Sequence, residues 1–151
     1  MKTIPTPALI LGLAGLIPFL YAAWLMVTGF DLGLIPSDQS TQNIALHILT
    51  IYGVIICAFM SGVQWGYAVT SDQWRFYILS VIPPILIFVL SILLGGPIMP
   101  AMLICLIVAF LFVLCFDIYL SSIHLTPDWW LTLRVPLTSV VVLCLATGFL
   151  I

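Results

Sequence analysis

The chain reads as an all-α membrane protein, a bundle of five transmembrane helices with short loops, and three observations carry that reading. Of its 151 residues 64% are hydrophobic and 5% charged, with a mean hydropathy of +1.37, whereas soluble domains are roughly 25% charged. Five apolar stretches each approach or exceed the length of about 20 residues that crosses a hydrocarbon core of about 30 Å. The basic residues Lys2, Arg75 and Arg134, the only three in the chain, all fall on one side of the serpentine that five such helices would make. Five helices use up the chain, so residues 1–151 are expected to form a single helical membrane domain. The net charge of −2 comes from very few groups. With no Lys/Arg patch to meet phosphates, nucleic acid is excluded as a partner.

The first helix is expected over residues 8–29, kinked at Pro18, which removes a backbone donor. Its start after Met1-Lys2 has the look of a signal peptide. The apolar run is too long for one, however, and Tyr21-Ala22-Ala23 makes no clear cleavage site, so a retained helix is expected. Residues 30–43, with Asp31, Asp38, Gly33 and Pro36, have the composition of a water-exposed loop, and Ser40 or Thr41 suits the cap of the next helix. The second helix is expected over 44–69 and the third over 76–94, bent or unwound at Pro83-Pro84. Gly95-Gly96-Pro97 then makes a tight hairpin into the fourth helix, 99–122. After a hinge at Ile123 to Leu125, Thr126-Pro127-Asp128 reads as cap, first-position proline and first-turn acid, starting the fifth helix, 127–151. Starting that helix at Pro136 instead would leave about 16 residues, roughly 24 Å.

Lys and Arg near helix ends mark the cytoplasmic side. The amino terminus is therefore expected inside and the carboxyl terminus outside, as a multi-pass protein of the bacterial inner membrane. Trp65, Trp74, Trp129 and Trp130 gather at the same interface as the basic residues, with Trp24 near the other, as interfacial anchors do.

Two groups of residues stand out as a candidate polar or packing cluster. Asp117 and Arg134 lie at similar distances on either side of the hinge, so they should reach similar depth in adjacent antiparallel helices. A charge at the centre of a spanning helix costs about 2.5 to 3.5 kcal/mol, which leaves three readings: a structural clasp, snorkelling to the headgroups, or a proton or substrate site. The second group is Gly62-Val63-Gln64-Trp65-Gly66. Ala58, Gly62 and Gly66 form a small-xxx-small stripe that permits close backbone approach, either as a packing face or as the wall of a ligand pocket. Cys57, Ser61 and Gln64 follow the neighbouring line, and the Gln64 amide should seek an interhelical hydrogen bond.

No cofactor is indicated. His47 and His124 sit at opposite ends of the bundle, about 30 Å apart, and cannot grip one haem. Cys57, Cys105, Cys115 and Cys144 lack the spacing of a zinc site and read as small apolar residues. Asp31 and Asp38 read as solvated loop carboxylates.

The segments Leu13 to Phe19, Tyr52-Gly53, Gly62 to Gly66, Asp117 and Trp130 to Thr138 together resemble domain of unknown function family 3429, bacterial membrane proteins with relatives among the eukaryotic transmembrane protein 69 sequences. The resemblance covers nearly the whole chain. Ser61 replaces a glycine of the family pattern, and Gln64 replaces a basic or histidine residue. What the resemblance implies is a small helical inner-membrane protein; it carries over no activity. The chain is accordingly expected to be a non-enzymatic accessory or interaction protein that packs against a membrane-protein partner or a second copy. The alternative is a binder or carrier of a small hydrophobic or amphipathic molecule, for which the Pro83-Pro84 break is the cue. An enzyme is the least favoured class, because one intramembrane carboxylate lacks the second group that acid–base or nucleophilic chemistry needs.

Overall fold

The computed structural model describes residues 3–33, 40–71, 73–96 and 100–149. They form six helices: α1 (Thr6–Ala14), α2 (Ile17–Thr28), α3 (Thr41–Ser71), α4 (Trp74–Leu93), α5 (Pro100–Ser122) and α6 (Trp130–Thr147). With α1 and α2 taken together as Thr6–Thr28, five segments are long and apolar enough to cross a membrane. No more than 44% of any of their apolar windows is buried inside the protein, so most of each helix turns leucine, isoleucine and phenylalanine outward. Apolar surface on that scale belongs in a bilayer rather than in water.

The first span departs from expectation, being two helices rather than one kinked helix. Pro18 cannot donate to the Ala14 carbonyl, and the chain resolves this by closing α1 with the Gly15 N–H on the Leu11 carbonyl at 2.9 Å. It restarts at Ile17 with Pro18 in the first turn, where no donor is needed. Pro83 and Pro84 show the opposite behaviour: α4 stays helical through both. Pro83 and Ile87 are buried there among neighbouring helices, and membrane helices tolerate internal prolines when their surroundings hold the backbone.

At the end of α4, Gly96 N–H bonds the Ser91 carbonyl (2.7 Å) and Gly95 N–H the Ile92 carbonyl (3.2 Å), with Gly95 at φ +80°. This is a Schellman motif, which satisfies carbonyls left over at a helix end. The same motif ends α5, where Leu125 N–H meets the Leu120 carbonyl (3.0 Å) and His124 N–H the Ser121 carbonyl (3.0 Å). Here a histidine holds the left-handed position, φ +58°, and Leu125 packs on a small cluster that contains Leu120.

That turn also corrects the start of the last helix. Thr126 does not cap it; its buried Oγ1 has no partner. Trp130 N–H instead bonds the Pro127 carbonyl at 2.9 Å, and α6 begins at Trp130, with no acid in its first turn. The Schellman motif sets the direction in which the chain leaves α5, and Pro127 and Asp128 are spent on the return. At the other end of the protein, Ser40 occupies the cap position of α3, its Oγ accepting Asn43 N–H at 3.5 Å.

α3 lies at the centre, packed on α2, α4 and α5, while α6 closes the arrangement by packing on α5, α2 and α1. Its buried side runs Leu49, Gly53, Cys57, Met60, Ser61, Gln64 and Ala68, the three- and four-residue spacing of one helical face. Gly53 lets α5 approach closely at this seam, since a Cβ there would stand 2.9 Å from Leu106 Cδ1 and the buried leucine would have to shift.

The left-handed backbone at His124 costs a residue with a Cβ about 1 kcal/mol or more. His124→Gly should therefore raise stability by roughly 1 kcal/mol, and His124→Val should lower it. Denaturant unfolding in detergent checks both signs.

Candidate functional site

Three side chains from three helices meet in a mostly apolar interior, with the buried polar residues Ser61 and Thr138 on the same helices. Asp117 leaves α5 five residues before its end, and Arg134 leaves α6 five residues into it. The hairpin between these helices places both at the same depth, and the Arg134 Nε donates to Asp117 Oδ2 at 2.8 Å. From α3, Gln64 Nε2 donates to Asp117 Oδ1 at 3.0 Å and to the Val113 carbonyl at 2.7 Å. Both carboxylate oxygens are thus engaged. Asp117 and Gln64 are fully buried, and Arg134 is 6% exposed.

Snorkelling to the headgroups is therefore not what these charges do. A buried ion pair is kept when its geometry is good and the remaining valences find partners. Asp117 meets that condition completely; Arg134 meets it in part. The guanidinium lies 5.9 Å from the centre of the Trp130 ring, within the range in which a cation is drawn to an indole face. Trp130 is in turn set edge-on to Tyr67 at 5.6 Å. Yet Arg134 Nη2, Gln64 Oε1, Ser61 Oγ, Thr138 Oγ1 and Trp130 Nε1 are buried without a hydrogen-bond partner. Such atoms are uncommon in packed interiors, and on α6 they belong to Trp130, Arg134 and Thr138, one line at successive four-residue steps. That spacing was available in the sequence, where the eye goes to the charge alone.

The candidate cluster splits in two. Gln64, Asp117 and Arg134 come together as described. Gly62, Gly66 and Trp65 do not join them: Ala58, Gly62 and Gly66 are exposed, and nothing within 4 Å would meet a Cβ on either glycine. The expected close packing of this stripe therefore does not occur among the described residues. Trp65 is 44% exposed on the same outer side, its ring set edge-on to Tyr77 of α4 at 4.9 Å. The reason is angular: Gln64 and Gly62 are two residues apart, which on a helix places them on different faces.

The loop carboxylate Asp31 is also more than solvated, since it accepts a 2.7 Å hydrogen bond from the Tyr21 hydroxyl. Asp38 and Lys2 lie outside the described residues. Among the described residues no three His, Cys or Asp side chains gather in a metal-binding group.

Five apolar spans around a buried ion pair define a polytopic helical membrane protein. More particularly, the chain belongs to the family described as protein of unknown function DUF3429, whose model matches residues 4–150. It is 34% identical over 151 residues to Transmembrane protein 69 of Xenopus tropicalis, an alignment that covers 96% of this chain. The chain spans about half the length of that relative, 54%. No solved structure matches it.

Removing one member of a buried pair leaves the other uncompensated, at a cost of about 3 to 5 kcal/mol. Asp117→Asn and Arg134→Gln should each lose about that much. The double variant should lose less than their sum by about 1 to 3 kcal/mol, as measured by a double-mutant cycle of unfolding in detergent.

Proposed function

We propose that this protein works by association rather than by catalysis, as a non-enzymatic accessory protein of the bacterial inner membrane that packs against a second membrane helix through the outer face of α3. The observation that carries the reading is the outward Ala58, Gly62 and Gly66 stripe. A glycine in a helix interior costs roughly 1 kcal/mol relative to alanine. At Gly53 the close approach of Leu106 accounts for it. No contact among the described residues accounts for Gly62 or Gly66, and small residues at this spacing are what lets two membrane helices come into backbone contact.

The only intramembrane carboxylate among the described residues supports a non-catalytic role, because Gln64 and Arg134 already occupy both of its oxygens. For orientation, we propose that the ends bearing Arg75 and Arg134 face the cytoplasm, with the carboxyl terminus on the far side. The supporting argument is the bias of Lys and Arg toward cytoplasmic helix ends.

If α3 docks in this way, Gly62→Cys in membranes should form a specific crosslink, and its mass will distinguish a second copy from another protein. Gly66→Ile should abolish that crosslink while leaving unfolding stability within about 1 kcal/mol, since the site is open. Random low-yield crosslinking that ignores Gly66→Ile would count against the reading. For topology, alkaline phosphatase fused after Ile151 should be active, and an inactive but expressed fusion would reverse the proposed orientation.

A further inference from the structure

Beside the small-residue stripe of α3, a cleft of about 560 Å³ opens between α1, α3 and α6, and a smaller cavity of about 120 Å³ shares its Gly12, Gly15, Ile56, Met60 and Arg134 walls. The helix break near Gly15 shapes this space. Gly12 and Gly15 contribute no side chains to it, and the Tyr52 hydroxyl holds the break in place by donating to the Gly15 carbonyl at 3.1 Å. Leu11, Ile55 and Phe59 line the cleft and are 56 to 71% exposed, so it communicates with the hydrocarbon of the bilayer. The combined space is within the range of small-molecule sites, which are mostly apolar with a few placed polar groups.

Two such groups are present. Arg134 lines both cavities and Thr138 lines the smaller one. Both are more than nine-tenths buried, and each has an unpartnered polar atom, Arg134 Nη2 and Thr138 Oγ1. Two orphaned groups on adjacent turns of one helix, carried by residues that border the cleft or the cavity beside it, imply an occupant that supplies a hydrogen-bond acceptor.

The charge of that occupant follows from Asp117. Its carboxylate already balances Arg134, so an anionic head would bring an uncompensated charge into a medium that disfavours one. A neutral carbonyl oxygen accepts the same hydrogen bonds without that penalty. We propose that the cleft binds a neutral lipid-soluble molecule through a carbonyl or ester oxygen, which Arg134 Nη2 and Thr138 Oγ1 hold while the hydrocarbon body lies among the apolar walls. This goes beyond the association reading and rests on different residues.

Trp129 and Trp130 line the cleft, so a brominated probe that enters it quenches their fluorescence on contact. Methyl dibromostearate titrated into the detergent-solubilised protein should quench saturably. Arg134→Lys keeps a cation opposite Asp117 but lacks Nη2, and Thr138→Val keeps the shape without the hydroxyl. Each should weaken the apparent affinity about tenfold, the scale of one lost hydrogen bond, and dibromostearate as the anion at alkaline pH should bind more weakly than its methyl ester. Quenching that never saturates, or that neither variant alters, would overturn the site; tighter binding of the anion would overturn the neutral head. Should Arg134→Lys fail to fold, Thr138→Val decides alone. Competition by dioleoylglycerol supports a diffusing neutral lipid as the source, and competition by dioleoylphosphatidylcholine supports the ester of a bilayer phospholipid.

Discussion

The buried pair of Asp117 and Arg134 is the constraint around which the rest of the structure is arranged. Neither charge tolerates the interior of a membrane alone, and they meet only if α5 and α6 run antiparallel in one register. The turn between those helices supplies that register through its Schellman motif and the left-handed His124. Gln64 then ties the pair to α3 by bonding both Asp117 and the Val113 carbonyl. Because α3 also packs on α2 and α4, these two hydrogen bonds connect the last hairpin to the rest of the fold.

The cost of this arrangement falls on Arg134. Its Nε is committed to Asp117, its Nη2 is buried with no acceptor among the described residues, and the side chain borders a ring and a cleft. A clasp and a binding group are therefore not competing descriptions of one residue. The carboxylate holds the guanidinium in place and cancels its charge, which makes a neutral hydrogen-bonding surface out of an ion deep in an apolar wall. Neighbouring faces of α3 divide the association roles in a similar way: Ala58, Gly62 and Gly66 outward toward a helix, and Ile56, Met60 and Val63 toward the cleft, with Ile55 and Phe59 on the border between them.

Most of the helical layout was legible in the sequence because hydrocarbon imposes it. With no water to satisfy backbone groups, long apolar runs have only the helix available, and Gly95-Gly96 marks its own turn. The pairing of Asp117 with Arg134 was legible for the same reason, since both charges needed partners at matching depth. Proline was where the reading failed. Pro18 split a helix that a kink was expected to preserve, Pro83-Pro84 left α4 helical, so that of the expected bend or unwinding the unwinding did not occur, and Thr126-Pro127-Asp128 formed a turn rather than a helix start. A proline only removes a donor and adds bulk; whether the backbone breaks depends on what surrounds it.

Composition and spacing by themselves determined that the protein is helical, that it belongs in a bilayer, and which charges lie at a depth where they could meet. These are local consequences of transferring residues out of water, and they need no knowledge of neighbours. Only the tertiary structure decided which way each face of α3 turns, and so placed Gln64 inside and Gly62 and Gly66 outside. It alone showed that Trp130 and Arg134 border a cleft, and Arg134 and Thr138 the smaller cavity beside it. The azimuth of a membrane helix is set by the helices around it, and in a chain apolar on every side there is no polar face to announce it beforehand.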